Sequence, residues 1–273
     1  MGVGRDIPAV MKRLLRQESG FGCAECGCPV IEYHHIIEFS VCKKHEIDNI
    51  AVLCPNHHSM LAKGPEEYVR KVKANPFNLR SGVFSARLWS GITARVIDFG
   101  IARIKNARPA VKFFGNTLLD VFDSDGFATI NLEIPGPNLF PRLRILENEI
   151  LTNVGDYWDI EFRTNFLRVV SKDQGEHIVL DLRGEYLIVR VNIKIGAATV
   201  ILGEDKSSIG GLSFSGRPTL EANGIAAGIE IGQEGRIVIY PNYAMRYPKA
   251  ELWAGERGRR AMVMVGAVSP LTY

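Results

Sequence analysis

The residues best suited to chemistry are crowded into one short stretch. All five cysteines (Cys23, Cys26, Cys28, Cys42, Cys54) fall between positions 23 and 54, and five of the six histidines (His34, His35, His45, His57, His58) lie inside that window or just beyond it. An odd cysteine count with no apolar leader ahead of it argues against a disulfide framework. Thiolates and imidazoles at this density argue instead for a metal ion. The sixth histidine, His177, stands alone in a strand-like region and reads as an ordinary structural residue.

Spacing sharpens this. Cys23 and Cys26 form a C-x-x-C turn in CAEC, and Cys54 and His57 repeat the x-x spacing in CPNH. Together they make a set of three thiolates and one imidazole, a standard donor set for structural Zn²⁺. Cys28 and Cys42 remain as spare thiols, so a set such as Cys23, Cys26, Cys42 and Cys54, with His57 released, stays open at this point.

What the zinc leaves over is His34, His35, Asn49, His58 and His45. The motifs YHHII, DNIAVLC and CPNHH, in that order, resemble the His–Asn–His (HNH) endonuclease family, in its zinc-braced ββα-metal branch. The resemblance covers about the first 70 residues. It implies that His34 holds a catalytic divalent ion together with His58, that His35 is the general base, and that Asn49 pins the loop and orients that base. Adjacent residues on a helix point about 100° apart, so His57 can turn to zinc while His58 turns to the active site. The chemistry fits phosphodiester hydrolysis: a neutral imidazole takes a proton from water, and a cation held by few protein ligands leaves room for phosphate oxygens. Mg²⁺ or Mn²⁺ is the expected ion, with Ni²⁺ or Zn²⁺ also compatible with imidazole ligands.

The sequence departs from the family at two places. The second zinc half-site is Cys-x-x-His where the family usually has Cys-x-x-Cys. The loop EFSVCKKHEID lacks the usual proline or glycine pair and brings Lys43, Lys44 and His45 instead. Lys43 and Lys44, with Arg80 and Arg87 further on, are candidate phosphate contacts, and each also reads as a solvated surface residue.

The elements that must position these groups are legible in part. Residues 6–18 have an amphipathic helical pattern, with Ile7, Val10, Met11, Leu14 and Leu15 on one face and Lys12, Arg13 and Arg16 on the other. VIEYHHII (30–37) and NIAVL (49–53) have strand composition, and Pro55 and Pro65 open helices over about 55–63 and 65–74. Residues 83–114 are ambiguous between strand and helix. Beyond 115 the pattern is β: 127–134, 158–163, 166–171, 177–183 and 186–195 alternate or run in β-branched residues. The expected fold class is α+β: a small zinc-stabilised nuclease domain (1–75), a basic connecting segment (76–110), and a larger, mainly antiparallel β domain (111–273) built as a sandwich, barrel or solenoid.

Composition limits the function. The 273 residues are 46% hydrophobic and 23% charged, which suits globular domains. No apolar run reaches the roughly 18–20 residues of a membrane span, so a cytoplasmic location is expected. Net charge is +3, but residues 76–110 carry six Lys/Arg against one acidic residue, a local excess that suits a phosphate backbone or a solvated linker. The β region is acidic on balance. Its aromatic segments DYWDIEF, NLFPRL and IYPNYAMRYP could stack bases, line a pocket, or simply pack. The expectation is a metal-dependent DNA endonuclease of restriction or phage-defence type, with RNA also open as substrate, aimed or gated by its β region. Alternatives are a nuclease silent until a small molecule or phage component binds, and a zinc-braced nucleic-acid-binding module without cleavage. A homodimer would supply the two active sites that a double-strand break needs.

Overall fold

The computed structural model describes residues 6–89, 96–100, 103–105, 110–113, 116–124, 126–135, 141–172, 175–195, 198–203, 207–209, 212–214, 219–221, 229–231, 237–239 and 252–254. The fold is mixed α+β, with few helices and mostly antiparallel strands. Among the described strands none closes a barrel. No described helix is long and apolar enough to cross a membrane. The motif GERGRR, most of IYPNYAMRYP and part of NLFPRL lie outside the described residues.

The chain forms two compact units that do not follow its linear order: residues 1–87 with 149–174, and residues 88–148 with 175–273. The first begins with α1 (Ala9–Glu18), β1 (Glu32–His35), the short α2 (Phe39–Cys42), β2 (Ile50–Leu53), α3 (Pro55–Leu61), α4 (Glu66–Ala74), α5 (Phe77–Ser81) and β3 (Val83–Arg87). The second opens with β4 (Val96–Asp98), β5 (Arg103–Lys105), β6 (Val111–Phe113), β7 (Asn116–Ser124), β8 (Phe127–Pro135) and β9 (Pro141–Leu146). The stretch expected as a basic connection therefore carries α5, β3, β4 and β5.

The chain then returns to the first unit with β10 (Glu149–Asn153), antiparallel to β3, and the hairpin of β11 (Tyr157–Arg163) and β12 (Phe166–Ser171). The second unit continues through β13 (His177–Asp181), β14 (Leu187–Ile195), β15 (Ala198–Leu202), β16 (Ser207–Ile209) and β17 (Leu212–Phe214). It ends with β18 (Thr219–Glu221), β19 (Ile229–Ile231), β20 (Ile237–Ile239) and β21 (Leu252–Ala254). Within it β6 to β9 form a meander, and β13 to β17 form a second antiparallel run. Parallel pairs join β4 to β14, β5 to β18 and β6 to β19.

Strand β2 is the spine of the first unit, buried along its whole length. Side chains alternate across a strand, so Ile50 and Val52 pack with Ile7 and Leu15 on one side. Ala51 and Leu53 pack with Cys23, Cys54, Val69 and Val72 on the other. Each of these apolar cores is small, which is the situation in which a metal cross-link contributes most to stability.

The structure sets α1 differently from its polarity pattern. Arg16, on the polar face of the helical pattern, is buried and binds Asp159 of β11 through two hydrogen bonds of 2.9 and 2.6 Å. Val10 and Leu14, on the apolar face of that pattern, are 58% and 40% exposed. The helix is rotated from its expected setting because its basic edge docks on a hairpin 143 residues away. Arg13 reinforces that docking, with its guanidinium 4.1 Å from the ring of Trp158.

Candidate metal centre

The turn after α1 and the start of α3 bring four donors together. Cys23, Cys26, Cys54 and His57 place their ligand atoms within 4.8 Å of one another. Cys23 Sγ lies 3.6 Å and Cys54 Sγ 3.3 Å from His57 Nδ1, and Cys26 Sγ lies 3.9 Å from Cys54 Sγ. Four ligands around zinc, with bonds of about 2.3 Å to sulfur and 2.0–2.1 Å to nitrogen, sit about 3.8 Å apart for S–S and about 3.6 Å for S–N. The donor set thus fits a tetrahedral ion such as Zn²⁺ in type and in spacing. Cys42 stands apart, its thiol directed to the carbonyls of Ile37 and Lys44, and Cys28 packs on the apolar core beside Cys23 and Cys54.

Local backbone explains how the donors arrive. The Cys23 carbonyl accepts from Gly27 N–H at 2.7 Å, and Cys23 N–H donates to the Cys28 carbonyl at 2.9 Å, closing the first turn. Gly27 sits at φ +76°, and a Cβ there would come within 2.3 Å of Asn78 Oδ1. Asn78, buried in α5, donates to the Gly20 carbonyl at 2.9 Å, while Phe77 N–H donates to the Ala24 carbonyl at 2.8 Å. The brace of the turn therefore comes from a helix inside the expected linker, and a lone asparagine there gave no periodic signal. At the second half-site Cys54 caps α3, its sulfur accepting from His57 N–H, with Pro55 at the first helical position.

The thiols respond to this crowding. Burial, with the neighbouring Cys23 and Cys54 thiols adding to it and a bond at Cys28 opposing it, pushes Cys26 up to about 12. Burial also pushes Cys28 up. Cys54 goes the other way: burial opposes ionisation, but the His57 N–H and the Cys23 and Cys26 thiols outweigh it. A bound cation supplies the charge that lets all three ligand thiols ionise.

The second constellation is partly assembled. His34, buried on β1, meets His58 of α3 edge to face at 5.0 Å between ring centroids. His57 faces the thiols, and its neighbour His58 turns to His34 instead. Glu32, two residues before His34 and so on the same strand face, reaches His58 Nδ1 at 2.5 Å. Sequence reading passed over Glu32; its i−2 relation to His34 was the available signal. Among the described residues only the Cys₃His set brings three or more donors within 4.8 Å.

His35 lies apart from His34, as strand alternation dictates. It is paired across to Ile50, with Nε2 3.0 Å from His45 Nδ1 and its ring 5.4 Å from Phe39. Burial, then His58 and His35, hold His34 below its ordinary value, and burial with His45 does the same for His35. Both imidazoles are thus biased towards the neutral form at pH 7. Asn49, buried immediately before β2, clamps Ile37 from both sides: Oδ1 accepts its N–H at 2.8 Å and Nδ2 donates to its carbonyl at 3.0 Å. Its backbone carbonyl accepts from Ile36 N–H at 2.8 Å, which fixes the chain just after His35.

The four candidate phosphate contacts are dispersed. Lys43 adopts a left-handed conformation at the end of α2. Lys44 is paired with Glu46 at 2.6 Å and Arg87 with Glu149 at 3.1 Å, and the Arg80 guanidinium lies 5.6 Å from the Phe77 ring. No protein-family model matches the chain, and neither a curated protein nor a solved structure matches it.

Proposed function

We propose that the first unit is a zinc-braced, metal-dependent endonuclease of HNH type acting on DNA, with the Cys23–Cys26–Cys54–His57 site as its structural centre. The observation that carries this reading is the division of labour at His57–His58: one imidazole joins three thiols while the next meets His34 across β1. In this reading His34 and His58, with Glu32 beside them, would hold a divalent cation, and such a cation would supply charge neutralisation at the phosphoryl and leaving oxygens. His35, biased towards the neutral form by burial and by His45, would accept the proton of the attacking water. Asn49 holds the backbone on which His35 rides. The second unit aims or restrains cleavage in a restriction or defence setting.

A second reading, in which the nuclease is silent until a signal arrives, is favoured by one feature. His35 and His58 are both already engaged, by His45 and by Glu32, and catalysis in the first reading requires both imidazoles to turn to substrate or cation.

Plasmid nicking by the full-length, zinc-loaded protein with Mg²⁺ or Mn²⁺ tests the proposal. His35→Ala is expected to keep its zinc and fold while losing about 10²-fold or more in rate. An unchanged rate ends the assignment of His35. Nicking that appears only after a nucleotide or phage lysate is added selects the gated reading.

A further inference from the structure

A separate feature lies on the far side of β2 from the cysteines. Between α1 and the β11–β12 hairpin, wholly within the first unit, runs a cleft of about 610 Å³. That volume is within the range that holds small ligands. Its charge is one-sided: Lys12, Arg13, Arg16, Arg163 and Arg168 line it against Asp159 and Glu161.

Both carboxylates are already committed. Asp159 holds Arg16 in a buried, two-bond pair, and Glu161 holds Arg163 at 2.5 Å. That leaves Lys12, Arg13 and Arg168. Among the described residues Lys12 and Arg13 have no carboxylate partner, and Arg168 reaches only the already paired Asp159, at 3.9 Å.

Arg13 adds a second detail to this charge imbalance. Its guanidinium lies over the Trp158 ring, yet Nε is buried with no acceptor. Leaving such a donor unmade costs on the order of 1–3 kcal/mol, and buried donors in native proteins are nearly always satisfied. An oxyanion in the cleft would balance the three cations that its lining leaves over, and would satisfy Arg13 Nε once that side chain shifts from Trp158 towards it. The rest of the lining is apolar or aromatic, including Ile7, Ile31, Tyr33 and Phe162, with Val10 left 58% exposed at its edge. Tyr33 cannot serve freely as a polar contact, because its hydroxyl accepts from Arg16 and donates to the Lys12 carbonyl.

We infer that this cleft is a binding site for a nucleotide-class ligand: a phosphate ester, seated on Lys12, Arg13 and Arg168, whose flat ring lies along Tyr33 and Phe162. A phosphate monoester carries about −1.5 to −2 charges at pH 7, which suits a site with three spare cations. Tyr33 sits one residue before His34 on β1, so occupancy of the cleft acts on the strand that carries the candidate catalytic histidines. The assignment of the cleft itself stands without the nuclease reading, because none of its residues belongs to that constellation.

The test is calorimetric titration of the full-length, zinc-loaded protein with three probes: adenosine 5′-monophosphate, inorganic phosphate and a 12-nucleotide single strand. The monophosphate is expected to bind saturably and to weaken at least about 10-fold in Arg13→Gln and in Lys12→Gln. Lys12→Gln should keep the wild-type melting temperature, Arg13→Gln should stay folded with a melting temperature lower by only a few degrees for its lost Trp158 contact, and Arg70→Gln, on α4, serves as the control that leaves binding unchanged. No saturable monophosphate binding overturns the proposal, as does binding that Arg13→Gln and Lys12→Gln leave intact. Inorganic phosphate binding as tightly as the monophosphate overturns the nucleotide class, since the ring would then contribute nothing. Binding of the 12-mer alone makes the cleft a track for a nucleic-acid backbone, which also overturns it.

Discussion

Replacing Arg16 by methionine should destabilise the first unit far more than a helix-surface substitution would. Arg16 and Asp159 have side chains only 10% and 2% exposed, and they meet through two bonds of 2.9 and 2.6 Å. Burial opposes the Arg16 charge, but Asp159 outweighs it and holds the guanidinium above its ordinary value. Two charges about 4 Å apart attract by about 4 kcal/mol at an effective dielectric near 20. The desolvation already spent on them is of similar size, so the intact pair is close to break-even against an apolar pair.

Removing one partner is different. Arg16→Met leaves Asp159 buried with only Arg168 Nη1 at 3.9 Å, an uncompensated charge costing about 3–5 kcal/mol. Arg16→Met with Asp159→Leu should recover most of that loss, giving a coupling of about 2 kcal/mol or more. Hydrogen exchange read on peptides covering 9–18 and 157–171, across a urea series, measures both. A single-variant loss below about 1 kcal/mol, or strict additivity of the two changes, would show that the pair does not anchor α1 to the hairpin.

Two further outcomes follow from the geometry. Cys54→Ala removes a metal donor, the cap of α3 and part of the apolar core at once, so the protein should lose its zinc and residues 1–87 should become protease-sensitive; structural zinc contributes on the order of 10 kcal/mol, more than a small core supplies. A full zinc equivalent by elemental analysis in that variant would disprove the ligand set. In the second unit, burial raises Asp98, but Gly100 N–H, Arg103 and Arg190 outweigh it and hold the carboxyl below its ordinary value of about 3.9. Its contribution is therefore present above that value and fades as pH falls through the lower, folded one. Asp98→Asn should cost on the order of 1–3 kcal/mol at neutral pH and flatten the acid limb of the melting curve below pH 4, measured by calorimetry. An unchanged acid limb would mean that the pairing carries no net stability.

How much of this was legible in the sequence depends on how local each cause was. Pro55 and the x-x spacing of Cys54 and His57 announced both a helix start and a half-site, because capping and chelation act over three residues. The strands at 127–135, 157–163, 166–171 and 187–195 were readable from alternation, since one buried face writes itself into every second position. The strands between 83 and 113 are three to five residues long, too short for a period to emerge. The four-residue helix Phe39–Cys42 inside the histidine loop escaped for the same reason. The buried state of Arg16 was out of reach altogether. A helical wheel sorts residues by polarity, and no pattern within α1 points to a carboxylate at position 159. His34 and His35 look like a matched pair in sequence, and only the strand register separates their surroundings.

The interleaving of the first unit also bears on its birth. With Arg16 and Asp159 separated by 143 positions, a ribosome adding 5–20 residues per second needs on the order of ten seconds between making the guanidinium and making its carboxylate. During that interval the cysteine turn and α3 have already emerged and can capture an ion, while the basic edge of α1 waits in solvent. The metal module is therefore expected to mature in two stages, ion first and hairpin last, with a nascent intermediate whose arginines are open to any polyanion nearby.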